Sequence, residues 1–206
     1  MRALAYAIPF FWGLLAASVV IAEAPGTNNG ARQVVERLHD ALLEVMQRAD
    51  ELGFAGRERR LAPVIATSFD FSAISGVVLG RAQWGALKGE QRSLMEDTFR
   101  QLTVATYADR FDGYSGEQFT TVSQRALKRG RVLVQSELKE ADGNVVRLDY
   151  VLHPIEGDGW RIINILADGV SDLSVKRAEY SSILREEGFK QLIAKLKEQI
   201  AELGGN

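Results

Sequence analysis

Residues 159–177, GWRIINILADGVSDLSVKR, hold a strand, a turn and a helix start within nineteen residues. Trp160 to Ala167 is rich in β-branched and aromatic side chains, and Asp168-Gly169 is a turn pair. Ser171 or Ser174 is placed to cap a helix whose buried face is Leu173, Val175, Tyr180, Ile183 and Leu184, with Gly188 as its terminator. Working backwards, three more stretches show strand character: Phe119 to Leu127, Arg131 to Lys139 and Val145 to His153. Asp142-Gly143 and Gly157-Asp158-Gly159 separate the last three strands, so both connections read as antiparallel hairpins. In the third strand Val146, Leu148, Tyr150 and Leu152 alternate with Arg147, Asp149 and His153, which predicts one wet face and one face that must be covered.

The cover is predicted upstream. Val34, Val35, Leu38, Ala41, Leu42, Val45, Met46 and Ala49 share one helical face, ended by Gly53. A second piece carries Arg57 to Ile65, with a break or kink expected at Pro63. Asp70 is placed to cap a helix bearing Phe71, Ile74, Val77, Val78 and Leu79, closed by Gly80, with Trp84 in the connection that follows. Gly89 to Phe111 repeats apolar residues at helical spacing over a length that can cross a sheet. Phe189, Leu192, Ile193, Leu196 and Ile200 form a last helix. The expected fold is α+β: an antiparallel sheet covered by amphipathic helices, with a helical C-terminal extension.

The chain has 25 basic and 27 acidic residues, a formal charge of -2, and no cysteine. No global field draws it to nucleic acid or to an anionic membrane, and lipid contact would run through apolar surface or a pocket. Thiolate metal sites, thiol nucleophiles, disulfides and a lipoprotein attachment cysteine are excluded. Arg2, the apolar run Phe10 to Ala22 and small residues around Ala22 and Ala24 read as an export signal, residues 1–22, cleaved after Ala22. A retained anchor is the alternative, since Ala3 to Ala22 is uncharged. Residues 23–30 are expected as a linker and 31–206 as one domain.

Phe69-Asp70-Phe71, Leu79-Gly80 before Trp84, Gln91 before Phe99, Tyr107 and Tyr114, Tyr150 with Leu152, Trp160-Arg161-Ile162, Gly169-Val170-Ser171, Arg177, Tyr180 and Gly188 together resemble the MlaC-type phospholipid-binding proteins, also called the toluene-tolerance family. The resemblance covers about Val34 to Leu203 and lies in order and spacing. It implies an NTF2-like α+β fold and a periplasmic shuttle without cofactor or catalytic step, carrying lipid between an inner-membrane transporter complex and an outer-membrane lipoprotein or porin-type complex. Asn164 stands where the family usually has aspartate, and Asp172 intrudes after Gly-Val-Ser. The run ADGVSDLSVKRAEY is more similar to the hopanoid-associated branch, HpnM, so the implied cargo is phospholipid or hopanoid.

Lipid-pocket candidates are Val132, Val134, Leu148, Tyr150 and Leu152 on the apolar sheet face, with Phe71, Ile74, Val77, Val78, Phe99 and Leu102 on helices. A plain core would contain the same residue types. Arg81, Lys88 and Arg92 are candidates for a lipid phosphate, against the alternative of solvated surface charge. His39 and His153 lack metal-ligand spacing and read as surface histidines, and Gly157-Asp158-Gly159 lacks the third glycine of a nucleotide loop. Asp168 reads as a turn residue rather than a catalytic one. Two rival functions stay open: a small-molecule isomerase or cyclase, for which Tyr150 is the pocket-facing titratable group, and an anchored interaction protein whose apolar face is simply filled.

Overall fold

The computed structural model describes residues 29–157 and 159–203. The expected export signal and residues 23–28 lie outside the described residues, whereas Asn29 and Gly30, expected in the linker, begin the first helix. That helix, α1 (Asn29–Gln47), buries Val35, Leu38, Leu42 and Val45 along one stripe, as its periodicity requires. In α2 (Ala49–Ser68) the backbone leaves helical geometry at Gly53, whose φ of 58° favours a residue without Cβ. The break expected at Pro63 does not occur; Leu61 and Ile65, both fully buried, keep the helix seated through that residue. Arg57 is buried in α2, and its Nε donates to the Ala108 carbonyl at 2.8 Å, tying this helix to the end of α5 (Gly89–Arg110).

Asp70 caps α3 (Phe71–Leu79) by accepting from the Ala73 amide at 2.8 Å, and Gly80 ends it at φ 83°. Trp84 lies in a short helix, α4 (Arg81–Ala86), rather than in an irregular connection. The sheet follows: β1 (Gln118–Ala126), β2 (Val132–Lys139), β3 (Val145–Ile155), β4 (Gly159–Ala167) and a two-residue edge strand β5 (Val170–Ser171), all antiparallel and in sequence order. The β3–β4 turn needs glycine at position 159, because a Cβ there would sit 2.8 Å from Ile155 Cγ1. Register shifts at Val122 in β1 and Ile163 in β4 add one residue each and curve the sheet.

On the strands lies α1, which packs on β1, β2 and β4, while α5 packs on α2, α3 and α7 (Phe189–Leu203). The sequence reading expected Gly89 to Phe111, the α5 segment, to cross the sheet; the helix that lies on the strands is α1 instead. The last two helices are α6 (Asp172–Glu186) and α7, divided at Gly188 with φ 87°. Leu192 and Leu196 of α7 are fully buried in the same apolar cluster that holds Ala31, Leu61, Val134 and Ile162, so α7 is part of the core and not an appendage to it. Val175, expected on the buried face of α6, is exposed; Leu173 and Tyr180 carry that face. The α+β architecture read from the sequence is the one observed.

Candidate functional site

Inner-face positions of β3 and β4 follow from the pleat: Leu148, Tyr150 and Leu152 on β3, with Tyr150 opposite Ile165 and Leu148 opposite Ala167 on β4. Between this part of the sheet, α5 and the start of α6 lies a partly open cavity of about 200 Å³. Its lining is mostly apolar and rich in aromatic rings: Leu42, Phe69, Ile74, Phe99, Leu102, Tyr107, Phe111, Leu148, Tyr150, Ile165, Val170 and Leu173. Rings run along this wall, Phe69 to Tyr107 at 6.2 Å and Tyr107 to Phe111 at 5.6 Å between centroids, with Phe71 behind them, 5.9 Å from Phe69 and 6.5 Å from Phe99. Three of these four contacts are edge-on or tilted and one, Phe69 to Phe71, is stacked, with centroid separations in the range that aromatic pairs prefer.

Polar groups enter at two places. Deep on the sheet side, the Tyr150 hydroxyl and His39 Nε2 are 2.9 Å apart, and the imidazole stacks on Phe119 at 4.3 Å. Burial lowers the His39 pKa to about 4 and pushes the Tyr150 phenol well above its ordinary value. Both groups are neutral at pH 7, and each satisfies the other's hydrogen-bonding need. Burial also raises the Tyr107 phenol, leaving it neutral. At the open side the lining includes Arg110, Asp172 and Lys176, with Lys176 Nζ 2.8 Å from an Asp172 carboxylate oxygen. Asn164 lines the wall too and accepts from the Ser171 hydroxyl at 2.9 Å, tying β4 to the residue before α6.

Of the lipid-pocket candidates, Ile74, Phe99, Leu102, Leu148 and Tyr150 line this cavity. Val78, Val132, Val134 and Leu152 do not; they are buried to 2% exposure or less in packed core. Phe71 stands one ring behind the wall, against Phe99. Val77 is corrected most sharply, since it is 46% exposed on the outside of α3. Arg81, Lys88 and Arg92 are all absent from the lining. Arg92 is engaged elsewhere, donating to the Trp84 and Gly85 carbonyls at 3.1 and 2.9 Å and lying over the Trp84 ring. The sequence reading missed Phe69, Phe111, Ile165, Arg110 and Lys176 as wall residues. Strand alternation predicts Ile165, but the others come from helix ends and loops whose direction depends on tertiary packing.

Neither histidine is a surface residue. His39 is buried, and His153 is half-buried, its Nε2 2.8 Å from Asp70 Oδ2. Asp168 behaves as a turn residue: its backbone is left-handed at φ 49°, and its carboxylate accepts from the Arg147 amide. Among the described residues there is no cluster of histidine and carboxylate groups able to hold a metal ion, and no helix long and apolar enough to cross a membrane.

The family model described as MlaC protein matches residues 36–198. The chain belongs to the MlaC family. That match runs from α1 to α7 and so takes in every wall of the cavity. Among solved structures, the fold is similar to that of the phospholipid-binding protein from Ralstonia solanacearum, a structure in complex with a phospholipid, with 21% identity, a TM-score of 0.73, and coverage of 84% of this chain and 98% of that one. A search of curated proteins finds no match.

Proposed function

We propose that this MlaC-family protein is a lipid carrier that binds an acyl chain in the aromatic-walled cavity and performs no chemistry on it. The observation that carries this reading is the cavity itself, apolar over most of its wall and open at one side, between the inner sheet face, α5 and α6. Membership of the MlaC family and the phospholipid bound by the structurally similar Ralstonia protein support it.

The physical requirement is severe. A chain of about sixteen carbons represents on the order of 12 kcal/mol of gross transfer free energy at about 0.8 kcal/mol per CH₂. A dry cavity can match that, and ordering and association costs reduce the net to a value that allows release. At about 200 Å³ the cavity is smaller than the roughly 300–1,000 Å³ of ordinary small-molecule pockets, so a whole lipid requires it to widen. The setting is the periplasm, reached through the export signal of residues 1–22. The cargo is phospholipid or hopanoid, passed between an inner-membrane transporter complex and an outer-membrane complex.

Native mass spectrometry of the protein purified gently from its own periplasm tests this. Stoichiometric lipid is the expected result and identifies the cargo. A lipid-free protein that also takes up no lipid from vesicles refutes the carrier reading.

A further inference from the structure

We propose that the phosphodiester of a lipid headgroup docks at the cavity rim on Arg110 and Lys176, with the Asp172 carboxylate competing for Lys176. This rests on the carrier reading and assigns the polar end of the same site. Arg110 is the last residue of α5 and Lys176 lies one turn into α6, so two different helices each contribute a cation to the lining of one cavity. Among the described residues no ion pair or hydrogen bond engages Arg110, while Lys176 is held by Asp172 at 2.8 Å. Arg110, Asp172 and Tyr107 line the same cavity, with Arg110 three residues after Tyr107 on α5.

The chemistry follows from the charges. A guanidinium fork matches two oxygens of one phosphate, and an ammonium adds a point charge. Arg110, Lys176 and Asp172 sum to one positive charge, which neutralises a phosphodiester monoanion; a lipid whose head is uncharged would leave it unmatched. Val170, 65% exposed and part of the same lining, supplies an apolar lip beside these charges, the arrangement an amphiphile requires and a free anion does not.

The test offers the protein equal amounts of phosphatidylglycerol and of diacylglycerol with the same chains in detergent micelles and reads uptake of each by mass spectrometry. The unaltered protein is expected to prefer phosphatidylglycerol. Arg110→Gln is expected to cut that preference about tenfold at low salt, Lys176→Gln by less, and Asp172→Asn to increase it by freeing Lys176. The preference shrinks as salt rises, because the rim is open to solvent. Thermal unfolding checks that the variants stay folded, and opposite signs for Arg110→Gln and Asp172→Asn are something a structural role would not produce. Equal uptake of both lipids by all four proteins overturns the headgroup site while leaving the carrier reading intact, whereas no uptake of either lipid by the unaltered protein overturns both. Inorganic phosphate titrated alone is expected to bind far more weakly than the lipid; equal affinity would mean a free-phosphate site and contradict the proposal.

Discussion

Leu152 and Leu148 lie on the same face of β3, four residues apart, yet Leu152 is fully buried among core side chains and Leu148 borders the cavity. The same contrast runs across the sheet, with Val132, Val134 and Ile162 in the packed part and Tyr150 and Ile165 in the hollow part. Over the packed part lies α1 with its continuous aliphatic stripe. Over the hollow part come the rings of α5 and the polar first turn of α6, where Asp172 and Lys176 pair with each other instead of filling space. The strand pattern is the same in both places. What hollows one end is the shape and polarity of the helices above it.

This contrast predicts unequal responses to the same substitution. Leu152→Ala is expected to cost about 2–5 kcal/mol by chemical denaturation, as large-to-small changes in packed cores do. Leu148→Ala, which enlarges space that already exists, should cost less than half as much as its packed counterpart. Equal costs at the two positions would break the distinction.

Acid should act at the His39–Tyr150 pair, where α1 meets the hollow part of the sheet. His39 is buried neutral, with its pKa lowered to about 4, while in the unfolded chain it titrates near its ordinary value of about 6.5. The stability that its burial allows is fully present above about pH 6.5. As pH falls from 6.5 to 4 the unfolded chain takes up a proton that the folded chain refuses, at a cost of about 3 kcal/mol. Unfolding measured at pH 7 and pH 4.5 should show most of that loss, and His39→Gln should flatten it. A smaller effect is expected at the cap of α3, where Asp70→Ala removes the bond to the Ala73 amide together with the His153 contact and should cost about 1–2 kcal/mol. Val77→Thr, on the outer surface of α3, should change stability by no more than about 0.5 kcal/mol and leave lipid content unaltered.

The helices, the four long strands and both hairpins were legible because period and punctuation are local: Asp70 before Phe71, Asp142-Gly143, and the glycines around position 158 each act within a few residues. The cavity was half legible. Alternation put Leu148 and Tyr150 on the right face but put Val134 and Leu152 there too, since no local signal says whether a helix above fills the space. Val77 misled because α3 is apolar nearly all round, so its periodicity does not identify the exposed side. The rim charges were sought at Arg81, Lys88 and Arg92, near the end of α3 in sequence, but Arg110 and Lys176 reach the rim from helix ends brought together only by the fold.

The most direct measurement fills the hollow and watches the lipid. Ile165→Trp places a large ring in the cavity from β4, whereas Val77→Trp places the same ring on the outer face of α3. With both variants folded by circular dichroism, Ile165→Trp is expected to lose most of its co-purified lipid and Val77→Trp to retain it. Full lipid content in a folded Ile165→Trp protein would contradict the claim that this cavity holds the chain.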